Sequence, residues 1–194
     1  VVGDSTACHY GDTDDVNFYY KRVGFGDKLQ NYLTGAQVVN LALSGRSSKS
    51  FATGINENGA VDDSAVANYT QLKENIKAGD TLIIAWGHND EKTDSYRFTD
   101  PNGDKNTAGS FKNSLYENYI KLAQDAGATP VLCTPIVRRT ASGAWGDNDL
   151  HVANGGDYAQ AIRDLGAELG ITVIDSLNNT KSLYDTVGVG TAPK

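Results

Sequence analysis

Five short runs rich in Val, Ile, Leu and Thr are spaced along the chain, with stretches of helical periodicity between them. The runs are Val1-Val2, 37–41, 81–86, 129–134 and 171–174. A strand that is apolar on consecutive residues is covered on both faces, as in a parallel sheet flanked by helices. The intervening stretches fit that role. Residues 25–33 read as a helix. Val66, Tyr69, Leu72 and Ile76 form one apolar stripe, Phe111, Leu115, Tyr119 and Leu122 a second, and Tyr158, Ile162, Leu165 and Leu169 a third. Spacings of three and four put each set on one helix face. Gly127 and Gly170 follow two of these stripes, where a chain leaving a helix turns left-handed. A last short helix is expected over about residues 181–187.

Alternating strand and helix implies right-handed crossovers, and so an α/β fold: a three-layer α/β/α sandwich on a five-stranded parallel sheet. With 194 residues and neither repeat nor linker, the chain reads as one domain over 1–194. Residues 91–109 are polar, contain Pro and Gly, and read as a long surface loop.

Charge and composition narrow the function classes. The net charge is −7 and no basic stripe is present, which argues against nucleic acid as a partner. No apolar run approaches the roughly 20 residues of a membrane helix. The two cysteines, Cys8 and Cys133, set no disulfide framework and read as free thiols ahead of a single bridge. The sequence has no methionine and opens on what reads as the end of a strand, so it is taken as clipped at both ends. Its Asn, Gly, Ser, Thr and Tyr content suggests a secreted, extracellular protein, expected to be a monomer.

Parallel sheets bind ligands beyond the carboxyl ends of their strands. Gly3-Asp4-Ser5-Thr6 follows the first run. A serine there can turn its hydroxyl to the cleft and its own N–H toward a developing oxyanion, but it needs a base within reach. Ala7 breaks the Gly-x-Ser-x-Gly elbow pattern. The second run ends in Asn40-Leu41-Ala42-Leu43-Ser44-Gly45-Arg46-Ser47-Ser48-Lys49-Ser50, where Gly45 leaves its N–H open to a substrate and Arg46 and Lys49 add positive charge. Gly87-His88-Asn89-Asp90 closes the third run, and the Asn89 amide is a donor suited to the same oxyanion. Each segment alone is an ordinary turn sequence; three in order, each capping a different strand, are far less ordinary.

These segments resemble sequence blocks of the SGNH (GDSL-type) hydrolases. Gly-Asp-Ser-Thr, Ser-Gly-Arg-Ser-Ser-Lys-Ser-Phe and Trp-Gly-His-Asn-Asp are similar to the rhamnogalacturonan acetylesterase branch, as are Thr134-Pro135-Ile136-Val137-Arg138-Arg139 and the Asp157-Tyr158 helix start. The resemblance spans essentially the whole chain. It implies a flavodoxin-like sheet with Ser5 at the switch point. It implies Ser5 as nucleophile and an oxyanion hole from the Ser5 and Gly45 backbone N–H groups and the Asn89 side chain. It also implies acetylated plant cell-wall polysaccharide (rhamnogalacturonan or other pectin, or xylan) as substrate, with no metal or organic cofactor.

The family also closes on an Asp-x-x-His block that supplies the general base and its carboxylate. His9, His88 and His151 are the histidines here, none in such a block, and residues 183–188 resemble what shortly precedes it. The base is therefore expected beyond Lys194. Arg46, His88 and His151 are kept as candidate substrate contacts, and His9 as a surface residue. Asp12, Asp14 and Asp15 read as a solvated run, and Asp100–Asp104 lacks the glycine and glutamate placement of an EF-hand. Asp175 is expected to face a helix N-terminus or solvent. Two other readings stay open: a lipid or small-ester esterase of the same superfamily, and an inactive carbohydrate-binding remnant. Tyr10, Tyr19, Tyr20, Tyr96 and Trp145 favour sugars over acyl chains, since aromatic faces and hydroxyls suit polar rings.

Overall fold

The computed structural model describes residues 1–11, 22–138 and 144–188. Along the chain come β1 (Val2–Gly3), α1 (Phe25–Lys28) running on into a 3-10 turn (Leu29–Tyr32), α2 (Ser48–Thr53), α3 (Asp63–Asn75) and β2 (Thr81–Ala85). Then follow α4 (Phe111–Leu115), a π-helical turn (Tyr116–Ile120), α5 (Lys121–Asp125) and β3 (Thr129–Cys133). A 3-10 turn (Asp147–Leu150) leads to the antiparallel pair β4 (Val152–Ala153) and β5 (Gly156–Asp157), and α6 (Tyr158–Leu169), β6 (Val173–Ile174) and α7 (Ser176–Val187) complete the order. No helix among the described residues is long and apolar enough to cross a membrane.

The main sheet is parallel, in the order β1-β2-β3-β6, with Val2 opposite Ile84, Ile83 opposite Val131 and Leu132 opposite Val173. Among the described residues it has four strands where five were expected: residues 37–41 form none. The hydrogen bonds give the reason. Val1 and Gly3 turn their backbone groups away from β2. The Val1 carbonyl accepts from the Leu41 N–H (2.9 Å), the Gly3 carbonyl accepts from the Leu43 N–H (2.9 Å), and the Val1 nitrogen donates to the Val39 carbonyl (2.8 Å). The Leu41 carbonyl, which a fifth strand would offer to β1, accepts instead from the Asn68 amide at 3.0 Å. The segment thus lies along the outer edge of β1 without a regular ladder. The spatial order is still flavodoxin-like, with the switch at β1.

Proline inside a central strand removes a ladder donor. Pro130 escapes that cost. In β3 the Thr129 N–H donates to Asp80 on the β2 side and the Leu132 N–H donates to Thr172 on the β6 side. Alternation points the nitrogen of Pro130 toward β6, and pairing with β6 begins only at Leu132.

The core joins Val2, Leu82, Ile84 and Leu132 of the sheet to Phe111, Leu115, Tyr119, Ile120, Ile162 and Leu165 of the helices. Phe51, Tyr69, Trp86 and Tyr119 form an aromatic group at ring-centroid distances from 5.2 Å (Phe51–Trp86) to 6.4 Å (Phe51–Tyr119). α2 falls where no helix was expected; Ser47 and Ser50 form a reciprocal cap at its start. α7 begins at Ser176, ahead of the expected 181, because Asp175 caps it. The pair β4–β5 turns on Asn154 and Gly155, both at positive φ (56° and 78°), the geometry that Asn-Gly favours in a two-residue hairpin. The 91–109 stretch carries no helix or strand, yet Glu91, Thr99 and Pro101 in it are buried.

α6 is bounded as its sequence suggests: the Asp157 side chain accepts from the Gln160 N–H at 2.8 Å and Gly170 closes it at φ 64°. Asp157→Ala should lower stability by about 1 kcal/mol, read as a smaller urea midpoint at unchanged m-value.

Candidate active site

β1 delivers the chain to a tight turn. Asp4 is buried; its carboxylate accepts from the Thr6 N–H (3.0 Å) and hydroxyl (2.9 Å), and its carbonyl accepts from the N–H groups of Ala7 (3.1 Å) and Cys8 (3.0 Å). Burial pushes the Asp4 carboxyl up, against the bonds from Thr6. The turn leaves Ser5 half-buried at its corner. The Ser5 carbonyl accepts from the Tyr10 hydroxyl at 2.8 Å, and no hydrogen bond reaches the Ser5 hydroxyl among the described residues. A cavity of about 510 Å³ is lined by residues that include Cys8, His9, Tyr10, Leu43 and Ser44, with Ser5, Gly45 and Asn89 outside its lining.

Two hydrogen bonds draw the other segments to this end of the sheet. The Leu43 N–H donates to Gly3, which starts the turn carrying Gly45. Gly45 has φ 76°, and apart from its chain neighbours no atom lies within 4 Å of where a Cβ would be, so the space beside its Cα is open. The Asn89 amide donates to the Arg46 carbonyl at 2.9 Å. That bond uses one of its two amide hydrogens and fixes the plane of the group, leaving the second as a donor. Gly87 sits at φ 146°, and a Cβ there would lie 2.9 Å from the Pro135 ring. Only glycine fits this close crossing of the loops after β2 and β3.

Asp90 bolts the same two segments together. Its buried carboxylate accepts from the Ser48 N–H (3.1 Å), the Ser48 hydroxyl (2.5 Å) and the Thr99 hydroxyl (3.2 Å), and the Ser48 carbonyl accepts from Tyr119 at 2.6 Å. Burial pushes this carboxyl up to about 7, against those bonds, with Asp4 adding to the rise. An unfolded aspartate titrates near 4, so between about pH 4 and 7 the folded protein holds this proton more tightly. The contribution to stability is full below about pH 4 and is lost as pH rises through about 7. The parent should therefore lose stability relative to Asp90→Asn across that window, by an amount on the order of 2–4 kcal/mol. Urea unfolding at several pH values measures it, and a pH-independent difference refutes it.

The residues expected to touch substrate are committed elsewhere. Arg46 pairs with Asp62 at 3.0 Å and lies mostly buried, 5.8 Å from the Tyr96 ring. Lys49 donates to the Ser95 carbonyl at 2.6 Å. His88 accepts at Nδ1 from Arg138 (3.1 Å), which leaves its ring proton on Nε2. Burial, then His151 and Arg138, hold this imidazole well below the ordinary histidine range. His151, expected in a polar loop reaching the cleft, is instead 0% exposed: Nε2 donates to the Ile136 carbonyl (2.7 Å) and Nδ1 meets the Glu91 carboxylate (3.1 Å). Sealed and bonded at both nitrogens, it is no substrate contact. His9 is 73% exposed and bonded to Asp27 at 2.8 Å. None of the three histidines is hydrogen-bonded to Ser5.

Glu91 was not anticipated as part of any site. It is buried, its carboxylate shared between Arg138 and His151, and its carbonyl accepts from Asn154 (2.9 Å). Burial alone would raise its carboxyl, but the bonds from His151 and Arg138 hold it below the usual value. Asp175 caps α7 and receives Arg163 at 3.0 Å on each oxygen. Cys8 and Cys133 are free and buried. Tyr96 lines a second, smaller cavity of about 290 Å³ with Lys49, Asn56 and Glu57, while Trp145 lies against Tyr184 and donates to Asp185. Asp12, Asp14, Asp15, Tyr19, Tyr20 and Arg139 lie outside the described residues.

Among the described residues, no group of three or more His, Cys, Asp or Glu is placed to hold a metal.

Comparison with known proteins agrees with the fold. The family model for GDSL-like lipases and acylhydrolases matches residues 1–188. The chain is 29% identical over 190 residues to the probable rhamnogalacturonan acetylesterase YesY of Bacillus subtilis, covering 97% of this chain and 74% of that one. It is 32% identical over 163 residues to the rhamnogalacturonan acetylesterase RhgT of the same organism, covering 82% of this chain and 57% of that one. Among solved structures, protein YXIM from Bacillus subtilis superposes with a TM-score of 0.67 at 24% identity, over 97% of this chain and 46% of that one, and shows the same fold. This chain belongs to the GDSL-like lipase/acylhydrolase family.

Proposed function

We propose that the protein is a serine esterase that removes acetyl groups from plant cell-wall polysaccharide, with rhamnogalacturonan the first substrate to try and other pectin or xylan next. The observation that carries this reading is the grouping at one end of the sheet: a Ser5 hydroxyl and one Asn89 amide hydrogen with no partner among the described residues, and open space beside the Gly45 Cα. The acetylesterases to which the chain is similar supply the substrate class.

In this reading the Ser5 oxygen attacks the acetyl carbonyl while its proton passes to a base. The oxyanion is met by the Ser5 and Gly45 N–H groups and the Asn89 amide. The sugar hydroxyl leaves with a proton, and water then releases acetate from the acyl-serine. His9, His88 and His151 are each bonded elsewhere, so the base is assigned to a residue outside these three. A polymer of this size is met outside the cell, and export is the matching location.

The test is acetate release from acetylated rhamnogalacturonan, run beside aryl esters of increasing acyl length, with the full-length protein. Turnover of the polysaccharide and a rate falling beyond acetate are expected. Preference for long acyl chains would point to a lipid esterase, and glycan binding without turnover of any ester to an inactive binding protein.

A further inference from the structure

Arg138 grips the turn that carries Asn89. Its Nη2 donates to the His88 carbonyl at 3.0 Å, which is the peptide joining residue 88 to Asn89, and its Nη1 donates to the His88 ring at 3.1 Å. A guanidinium holds a carbonyl firmly only if its own orientation is fixed. Here Glu91 fixes it through Oε1, and the other carboxylate oxygen, Oε2, is held by His151. His151 is anchored in turn to the Ile136 carbonyl at 2.7 Å. One carboxylate therefore ties together three segments: 87–91 after β2, 134–138 after β3, and His151 between the 3-10 turn and β4.

Two further features mark the arrangement as more than filler. His151 sits at φ 60°, a left-handed conformation that a non-glycine residue keeps only where its surroundings enforce it. The Glu91 carbonyl is also spoken for, by Asn154, itself at φ 56°. Side chain and main chain of Glu91 are thus both held by the small hairpin, and the residue lies two positions from Asn89.

We propose that Glu91 is a positioning residue for Asn89: through Arg138 it fixes the 88–89 peptide, and so the direction in which the Asn89 amide presents its free hydrogen. The inference rests on Asn89 acting as an oxyanion donor. Glu91 meets no substrate itself. Its loss should lower kcat and leave KM nearly unchanged, since a misdirected donor weakens transition-state binding more than substrate binding.

The experiment is a double-mutant cycle on acetyl ester hydrolysis by the full-length protein. Glu91→Gln is expected to lower kcat about tenfold in the parent and by less than about twofold in an Asn89→Ala background. Arg138→Lys, which keeps the cation beside Glu91 but loses the forked grip on His88, should behave the same way. It serves as the second variant if Glu91→Gln, which leaves Arg138 and His151 facing a neutral amide, does not fold. Equal losses in both backgrounds, or a lower melting temperature with kcat intact, would overturn the proposal while leaving the esterase reading in place. Full activity of Asn89→Ala itself would overturn the proposal together with the oxyanion role of Asn89 on which it rests, again leaving the esterase reading in place.

Discussion

Replacing Ser5 by alanine is expected to lower kcat for acetyl ester hydrolysis by about 10⁴-fold or more, with the stability of the fold unchanged. The size follows from serine hydrolases generally, where losing the nucleophile leaves only what the oxyanion donors and binding supply. The unchanged stability follows from the turn. What holds the turn is the Asp4 carboxylate and carbonyl and the bond from Tyr10 to the Ser5 carbonyl, none of which uses the Ser5 side chain. Its hydroxyl has no hydrogen bond to lose among the described residues. Kinetics on an aryl acetate and on acetylated polysaccharide, with a thermal melt of each variant, make the comparison. Comparable acetate release from the variant would remove Ser5 from the mechanism.

Asn89→Ala should lower kcat by about 10²–10³-fold, the usual consequence of deleting one oxyanion donor. Here the side chain has two duties. It also donates to the Arg46 carbonyl, so alanine leaves that acceptor short of a partner and should cost about 1 kcal/mol of stability besides. Asn89→Asp separates the two effects. It keeps the shape but turns an acceptor toward the Arg46 carbonyl and toward any developing oxyanion, so its rate should fall at least as far as that of alanine. KM should move little in either variant. A fall in stability alone, with kcat preserved, would make Asn89 a strut of the Gly45 turn and nothing more.

Where burial on both faces dictates residue choice, the sequence could be read directly. The runs at 81–86, 129–134 and 171–174 contain β2, β3 and β6, and the stripes through Leu115 and Leu165 lie on helices whose inward residues are the ones buried. Positions 37–41 misled because Val38, Val39 and Leu41 look like a buried strand, yet Val39 is exposed and the Leu41 carbonyl belongs to Asn68. α2 was missed because Ser47 to Ser50 reads as loop when reciprocal capping is not weighed, and the hairpin because the Asn154-Gly155 signal went unused. The positions of Ser5, Gly45 and Asn89 at one end of the sheet were legible, since each follows a strand or an edge segment that the apolar pattern locates. The Glu91, Arg138 and His151 network was not. Its members lie 47 and 60 residues from Glu91 along the chain, and no local pattern announces that a charge will be buried against distant partners.

The two thiols have a practical corollary. Cys8 and Cys133 are both shielded, and burial pushes the Cys133 thiol up to about 12, so almost none of it is thiolate at neutral pH. With no methionine in the 194 residues either, this stretch offers oxidants and maleimides little to attack. Within these residues, a single cysteine engineered onto an exposed loop would stand as the one readily reactive sulfur, ready to carry a fluorophore without first stripping the native thiols.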